Sequence, residues 1–337
     1  MTEQEPLETL GEQKITRRGL IVRGGLLTAG AAVMGGPAAA SAFGAATATA
    51  VKVAVVTHGD TGSFWSVFKK GVDQAASDLK SRGVSVTQVY ANNDVSKQVS
   101  GINAAIAAKV NVIATSVPDA SALKDPLGTA ASKGIEIITV NSGLGAFDSL
   151  ATYMVHVGQT EDVAGQGAGK QFNSAGAKNL VVLIHEASNS GLQQRADGAK
   201  KTFKGKTKTL VIPNATSDLP GTQQKIKAYF QANKSTDAFL ALNPDVATAA
   251  MSAVPGGTKI GTFDLSPGVI SAVQSGKILF AIDQQQYLQG YLPITFAYLF
   301  VTNANTVGNG EPVLTGPGIV NKGNASKVAA LAKKGTR

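Results

Sequence analysis

Cysteine is absent from this 337-residue sequence. Its absence excludes disulfide bonds, zinc sites built on thiolates and cysteine nucleophiles. Aromatic residues are also scarce, at 6% with a single tryptophan, whereas there are 38 glycines. Together with a hydrophobic content of 43%, this composition is typical of a soluble α/β protein, and the length is sufficient for two domains.

The net charge of +9 is not accompanied by a basic stripe. Lysines are scattered along the chain, and aromatic residues are not interleaved with them as they are in many nucleic-acid-binding surfaces. We therefore interpret the charge as a solvated basic surface and expect no nucleic-acid partner.

The first 42 residues have the three parts of an export signal. Arg17 and Arg18 form a twin-arginine pair, a glycine-rich apolar run follows over 19–34, and an A-x-A cleavage pattern lies at 40–42. The apolar run is too short for a stable membrane span. The pattern predicts a twin-arginine (Tat) signal peptide over 1–42 and a disordered lead-in over 43–51, with an amphipathic N-terminal helix as the alternative. We expect a mature protein in the periplasm, without a lipid anchor because no cysteine lies at the cleavage site.

Apolar runs alternate with helical periodicity from residue 51 onward. The first half predicts strands at 51–57, 84–90, 110–116 and 135–140, with helices at 64–79, 95–109 and 120–133. A strand at 152–158 leads into a second unit with strands at 179–185, 208–212, 237–243, 259–264 and 278–283, and helices at 160–174, 191–203, 220–233, 246–254 and 267–275. A long helix at 285–302 and a short strand at 313–320 complete the pattern. This alternation predicts an α/β fold of two doubly wound parallel-sheet domains of similar topology.

Polar residues follow nearly every predicted strand. In parallel sheets ligands bind beyond the carboxyl ends of the strands, so these segments are candidates for a binding site. Amides, carboxylates, hydroxyls and glycines dominate them, at 58–65, 117–121, 141–145, 185–189, 213–218, 243–245, 264–268 and 283–286. Amide and carboxylate groups suit a neutral ligand rich in hydroxyls, and Phe64 and Trp65 supply flat apolar faces for stacking on a ring.

Seven motifs in this order and spacing resemble the type I periplasmic sugar-binding proteins of ABC transporters, the ribose-binding-protein-like family. They are Phe64-Trp65, SVPDASAL (116–123), GIEIITVNS (134–142), the R-x-x-G at 195–198, DAFLALN (237–243), KIGTFD (259–264) and FAIDQQQYLQGY (280–291). The resemblance covers roughly residues 51–320.

The resemblance implies a ligand-binding cleft. It implies stacking by Phe64 and Trp65, and polar contacts from Asn141, Arg195, Asn243, Asp264 and Gln284, with Gln284 on a crossover between the lobes. Further candidates at the strand ends are His58, Asp60, His185 and Glu186, where the sequence departs from the simplest ribose binders. Another departure is Asn141-Ser142, where many members have Asp-Arg.

The resemblance also implies a three-segment hinge between two lobes. The N-terminal lobe would comprise 51–156 plus 286–306, and the C-terminal lobe 157–285 plus 307–337, with crossovers near 157–158, 283–286 and 307–316. Such a protein captures a monosaccharide or related polyol by hinge closure and delivers it to an ABC transporter permease in the membrane. A monomer without cofactor or metal is expected.

Structural interpretations compete with several of these assignments. Asp264 and Asn243 each precede a predicted helix and could be N-caps. Arg195 could pair with Asp197, Trp65 could be a core residue, and Gln284 could serve hinge hydrogen bonding alone. The segment GQGAGKQ (165–171) imitates a phosphate loop, but it falls inside a predicted helix, and we interpret its small residues as close packing.

Enzyme function is disfavoured by the motifs. There is no G-x-S-x-G elbow, and HEASN (185–189) lacks the second histidine of H-E-x-x-H. Asp264 and Glu186 could form a glycosidase pair, but nothing in the sequence fixes their spacing. The alternatives that remain are a binding protein for a furanone-like signal of the autoinducer-2 type, a sensor linked to a chemoreceptor or kinase, and a secreted carbohydrate-active enzyme.

Overall fold

Residues 50–147 and 153–337 are described by the computed structural model. The predicted signal peptide, 1–42, lies outside this part of the chain, as does most of the predicted lead-in. Within the described residues, no helix combines the length and hydropathy needed to cross a bilayer.

The elements follow the predicted alternation closely. The strands are β1 (Val51–Thr57), β2 (Val84–Tyr90), β3 (Val112–Thr115), β4 (Glu136–Val140), β5 (Tyr153–Gln159), β6 (Asn179–Ile184), β7 (Lys206–Val211), β8 (Ala238–Ala241), β9 (Lys259–Phe263), β10 (Phe280–Asp283), β11 (Val313–Gly316) and β12 (Gly318–Asn321). The helices are α1 (Gly62–Leu79), α2 (Val95–Ala107), α3 (Ala120–Ser132), α4 (Leu144–Phe147), α5 (Glu161–Ser174), α6 (Ser190–Thr202), α7 (Leu219–Ala232), α8 (Pro244–Ala250), α9 (Pro267–Ser275), α10 (Gln286–Asn303) and α11 (Ser326–Lys334). The sequence did not predict α4 or α11.

Two six-stranded sheets organise the molecule. The first has the order β11-β5-β4-β3-β1-β2, and the second has the order β12-β10-β9-β8-β6-β7. All pairings are parallel except β10 with β12. The two orders match strand for strand, so β4 and β9 occupy equivalent central places. The predicted fold class, two doubly wound domains of similar topology, is confirmed.

The C-terminal strand differs from its prediction. The predicted single strand at 313–320 is two strands, and β11 pairs with β5 in the first sheet, whereas β12 joins the second. The predicted boundary at 307 therefore assigned Val313–Gly316 to the wrong sheet. Pro317 separates the two strands, because it cannot donate a backbone hydrogen bond. A strand of four residues at a sheet edge has too short a hydrophobic pattern to indicate which sheet it joins.

Helices pack closely where glycines face a neighbouring backbone. A Cβ on Gly165 of α5 would lie 2.1 Å from the carbonyl oxygen of Arg195, and a Cβ on Gly198 of α6 would lie 2.2 Å from that of Asp162. The interpretation of 165–171 as a close-packing segment is confirmed. In the first lobe, which is built on the first sheet, Gly71 of α1 and Gly290 of α10 make the same kind of close approach. Helix α10 therefore packs in the first lobe, although the strand before it, β10, belongs to the second sheet.

Candidate functional site

The eleven residues predicted to bind ligand line a single pocket between the carboxyl ends of the two sheets. Its volume, counted out to where it opens to solvent, is about 530 Å³. The first lobe supplies five of the eleven, the second lobe five, and the crossover after β10 one: His58, Asp60, Phe64, Trp65 and Asn141; His185, Glu186, Arg195, Asn243 and Asp264; and Gln284.

Asn141 and Asp264 occupy equivalent positions in the two lobes. Each directly follows a central strand, β4 or β9, and each has a left-handed backbone, with φ of 57° and 68°. Each N–H extends the sheet by one bond, to the carbonyl oxygen of Val157 at 3.2 Å and of Ile282 at 2.8 Å. Asn and Asp tolerate this conformation better than other non-glycine residues, and such strain is concentrated at functional sites.

Gln284 joins the two equivalent residues. Its Nε2 donates to Oδ1 of Asp264 at 2.8 Å, and its Oε1 accepts from Nδ2 of Asn141 at 3.3 Å. A third bond, 3.0 Å long, comes from Nε2 of Gln289 on α10. The polar cluster after β10 therefore lies on the crossover at the floor of the pocket, with the Gln284 side chain fully buried.

Asp264 is an unusual carboxyl group. Burial raises its pKa to about 7, although the charge of Arg195 and the hydrogen bond from Gln284 act in the opposite direction. The predicted alternative, an N-cap of the following helix, is not what the structure shows, because Ser266 caps α9. Asn243, by contrast, accepts from the N–H groups of Asp245 and Val246 at the start of α8 and also lines the pocket.

Arg195 forms an ion pair that the sequence did not predict. Its Nε and Nη2 donate to the two carboxylate oxygens of Glu161 at 2.5 and 2.9 Å, rather than to Asp197. Its guanidinium carbon lies 4.6 Å from the ring centroid of Phe263, a cation–π contact. Acidic residues are common in the first turn of a helix, where they interact favourably with the helix dipole, so no sequence signal distinguished Glu161.

The aromatic residues form a cluster against the first sheet. Trp65 makes edge-to-face contacts with His58 and Phe64, with ring centroids 5.1 and 4.9 Å apart. It is 7% exposed and packs in the core of the first lobe while also lining the pocket. The core and stacking interpretations of Trp65 are therefore compatible.

A histidine and a carboxylate meet across the pocket. His58 Nε2 lies 3.4 Å from Oε2 of Glu186, which also receives a 2.7 Å bond from Nδ2 of Asn189. Burial alone would raise the pKa of Glu186, but His58, together with His185 and Asn189, lowers it below its ordinary value. Burial lowers the pKa of His185. The oxygen of Ser116 accepts the His58 backbone N–H at 2.9 Å and lies 2.7 Å from Nδ1, which orients the ring.

Other hydrogen bonds also connect the two lobes across the pocket. The backbone N–H of Ser63, at the start of α1, donates to Oδ2 of Asp245 at 2.8 Å. The hydroxyl of Ser142 lies 3.1 Å from Oδ1 of Asn189. These contacts hold the carboxyl ends of the two sheets face to face, which is a closed arrangement of the lobes.

A protein-family model described as the periplasmic binding protein domain matches residues 53–305. The chain belongs to this family. A carbohydrate transporter from Acidothermus cellulolyticus, solved in complex with myo-inositol, superposes with a TM-score of 0.81 at 32% identity, over 86% of this chain and all of that one.

Two characterised relatives of this periplasmic binding protein are more distant. A xylose/arabinose-binding protein of Sulfolobus acidocaldarius is 26% identical over 64% of this chain and 58% of its own length, so the match spans less than two thirds of that relative. A xylitol-binding protein of Mycolicibacterium smegmatis is 26% identical over 70% of this chain and 68% of its own. The family match supports the prediction of a binding protein rather than an enzyme.

Further residues of this periplasmic binding protein line the same pocket and were not among the eleven predicted, although Asn189 and Thr216 lie in the candidate segments 185–189 and 213–218. Asn92 and Asn93 follow β2, and Asn189 and Thr216 come from loops of the second lobe. The rule that ligands bind beyond the carboxyl ends of strands would have found Asn92 and Asn93, because only Ala91 separates them from the second predicted strand. Asp60 carries an ion pair with Lys69 of α1.

Proposed function

We propose that this periplasmic binding protein captures an uncharged monosaccharide or cyclic polyol in the cleft between its lobes. The observation that carries the proposal is the hydrogen-bonded chain Asn141–Gln284–Asp264, which runs from one lobe through the crossover to the other beside Arg195. Amide donors, carboxylate acceptors and a guanidinium in one buried site match the alternating donor and acceptor character of ring hydroxyls.

Hinge bending supplies the mechanism of capture. Within the described residues, three segments cross between the sheets: after β5, between β10 and α10, and between β11 and β12. Ligand stabilises the closed form because only that form contacts it from both lobes. The bonds from Ser63 to Asp245 and from His58 to Glu186 add to closure without requiring the ligand.

The ligand is proposed from the site and from the relatives together. The relatives are named for xylose, arabinose and xylitol, and the structure at 32% identity holds myo-inositol. All are neutral and carry hydroxyls on most carbons, as the amide and carboxylate lining of this cleft requires. A pentose, a pentitol or an inositol is therefore the first candidate, and these names favour sugars and polyols over a furanone-like signal.

Delivery and location complete the proposal. The closed complex docks on an ABC transporter permease, which receives the ligand when the lobes separate. Export by the twin-arginine pathway, through the predicted signal at 1–42, places the monomeric protein in the periplasm without a lipid anchor.

The proposal is tested by a thermal-shift screen with D-xylose, L-arabinose, D-ribose, D-glucose, xylitol and myo-inositol, together with mass spectrometry of any ligand that co-purifies. A ligand present at 100 times its dissociation constant stabilises the folded protein by about 2.7 kcal/mol, which is a clear rise in melting temperature. Recovery of the added sugar unchanged supports binding. The proposal is wrong if no member of the panel raises the melting temperature, and product formation would indicate an enzyme.

A further inference from the structure

Among the described residues, Glu161 accepts both of the hydrogen bonds that the Arg195 guanidinium donates. Both side chains are buried, with 3% and 4% exposed, and the two oxygens of Glu161 take the N–H groups of Nε and Nη2. The same carboxylate accepts a 2.8 Å bond from Nε2 of Gln159, at the end of β5 where the chain leaves the first sheet. Glu161 lies outside the pocket lining of the described chain, whereas Arg195 lies within it.

Three N–H groups of Arg195, a residue that lines the pocket, have no acceptor among the described residues. An arginine has five N–H groups, and Glu161 takes two of them. The three that remain can donate to ligand hydroxyls, while the positive charge itself is balanced by the carboxylate behind. A buried arginine without that partner would instead attract a carboxylate or phosphate, which it binds with two parallel bonds.

The other charged side chains around the pocket do not add net positive charge to it. Asp264 and Glu186 both attract Arg195 electrostatically, and Glu186 faces His58 and His185. Asp60 is paired with Lys69. An anionic ring entering this cleft would lose its hydration without meeting an uncompensated cation.

We propose that Glu161 is a specificity-determining residue that, by neutralising Arg195, makes the cleft select uncharged sugars and polyols over anionic rings such as uronates. The inference rests on the proposed function. Glu161 acts through Arg195 and the ligand never touches it. Close packing of α5 on α6, which the absence of a Cβ at Gly165 and Gly198 permits, brings the two side chains together.

The test compares the tightest-binding neutral member of the sugar and polyol panel with D-glucuronate, by calorimetry on the purified protein. Wild type should bind the neutral ring at least about 100-fold more tightly. In Glu161→Gln the neutral ring should bind about tenfold more weakly and D-glucuronate more tightly. The ratio of the dissociation constant for D-glucuronate to that for the neutral ring should therefore fall at least about tenfold. A purely structural role would weaken both ligands alike and leave the ratio unchanged.

Two variants serve as controls. Glu161→Asp keeps the charge, so its ratio should stay near that of wild type even if both affinities fall. Asp162→Asn removes a half-exposed negative charge from the next residue, whose partner is Lys201, and should leave the ratio unaltered. An unchanged ratio in a folded Glu161→Gln, or a lowered ratio in Asp162→Asn, overturns the inference.

The outcome does not depend on whether Glu161→Gln folds. If wild type binds D-glucuronate within about threefold of the neutral ring, the inference is wrong whatever the variant does. If wild type binds no neutral member of the panel, the proposed function fails instead, and the inference fails with it. Neutral binding with poor discrimination removes only the inference.

Discussion

Gln284 donates a 2.8 Å hydrogen bond to Asp264 from a crossover between the lobes. The carboxyl group of Asp264 is buried, and this bond gives its Oδ1 a donor. Gln284 belongs to a segment that must change conformation if the lobes move relative to each other. The contact therefore links a pocket residue to the crossover that we propose as part of a hinge.

Asp264→Asn should weaken ligand binding by about 2 kcal/mol or more, roughly 30-fold, because a buried acceptor of hydroxyl protons is replaced by a poorer one. Asparagine tolerates the left-handed backbone at this position, so the change isolates the carboxylate. Calorimetry measures the effect, with the exposed Asp125→Asn as control. Affinity within twofold of wild type would refute a ligand contact by Asp264.

The pH dependence of binding should carry the signature of the same group. Burial raises the pKa of Asp264 to about 7 from an ordinary 3.8, so this residue stabilises the folded protein fully below about pH 3.8, and its contribution is lost as pH rises through about 7. Hydroxyl donors favour the ionised form, so affinity should rise with pH towards and through 7, with proton release on binding. Calorimetry in buffers of different ionisation enthalpy detects the proton, and the effect should vanish in Asp264→Asn.

Trp65 should report ligand binding by fluorescence. It is the single tryptophan of the chain and packs against His58 and Phe64 at the pocket wall. Ligand against these rings changes the polarity around the indole, so emission should shift or change in intensity. Trp65→Phe removes the signal and serves as the control, and unchanged emission with saturating ligand would place the ligand elsewhere.

Asp245→Ala should favour the open form. Asp245 lies outside the pocket lining of the described chain, and its carboxylate accepts the backbone N–H of Ser63 from the other lobe. Loss of this contact should weaken ligand affinity by about 1 kcal/mol, roughly fivefold. Small-angle scattering should show a larger radius of gyration without ligand and the wild-type value at saturation. Asp218→Ala, which removes an exposed cap in the same lobe, should change neither.

Gly165→Ala should lower both stability and affinity. The added methyl would lie 2.1 Å from the carbonyl oxygen of Arg195, so α5 and α6 must separate, at a cost of about 1–3 kcal/mol in the free energy of unfolding. Gly128→Ala is the matched control, because a Cβ there meets no atom within 4 Å and alanine favours a helix. Chemical denaturation distinguishes the two, and equal stabilities would contradict the packing argument.

Much of the site could be predicted because its residues follow strands. The eleven predicted residues line one pocket because parallel strands end at the same edge of a sheet. The prediction failed for Glu161, which precedes Arg195 by 34 residues and meets it through helix packing. It also failed for β11, a four-residue edge strand in the first sheet.

Local pattern by itself determined the alternation of strands and helices, and with it the fold class, because apolar periodicity is encoded within single windows of the chain. The tertiary structure alone decided which side chains oppose each other across the cleft: His58 with Glu186, Ser63 with Asp245, and Glu161 behind Arg195. Each of these pairs joins segments distant in sequence, and their meeting depends on how whole helices and lobes pack rather than on any local preference.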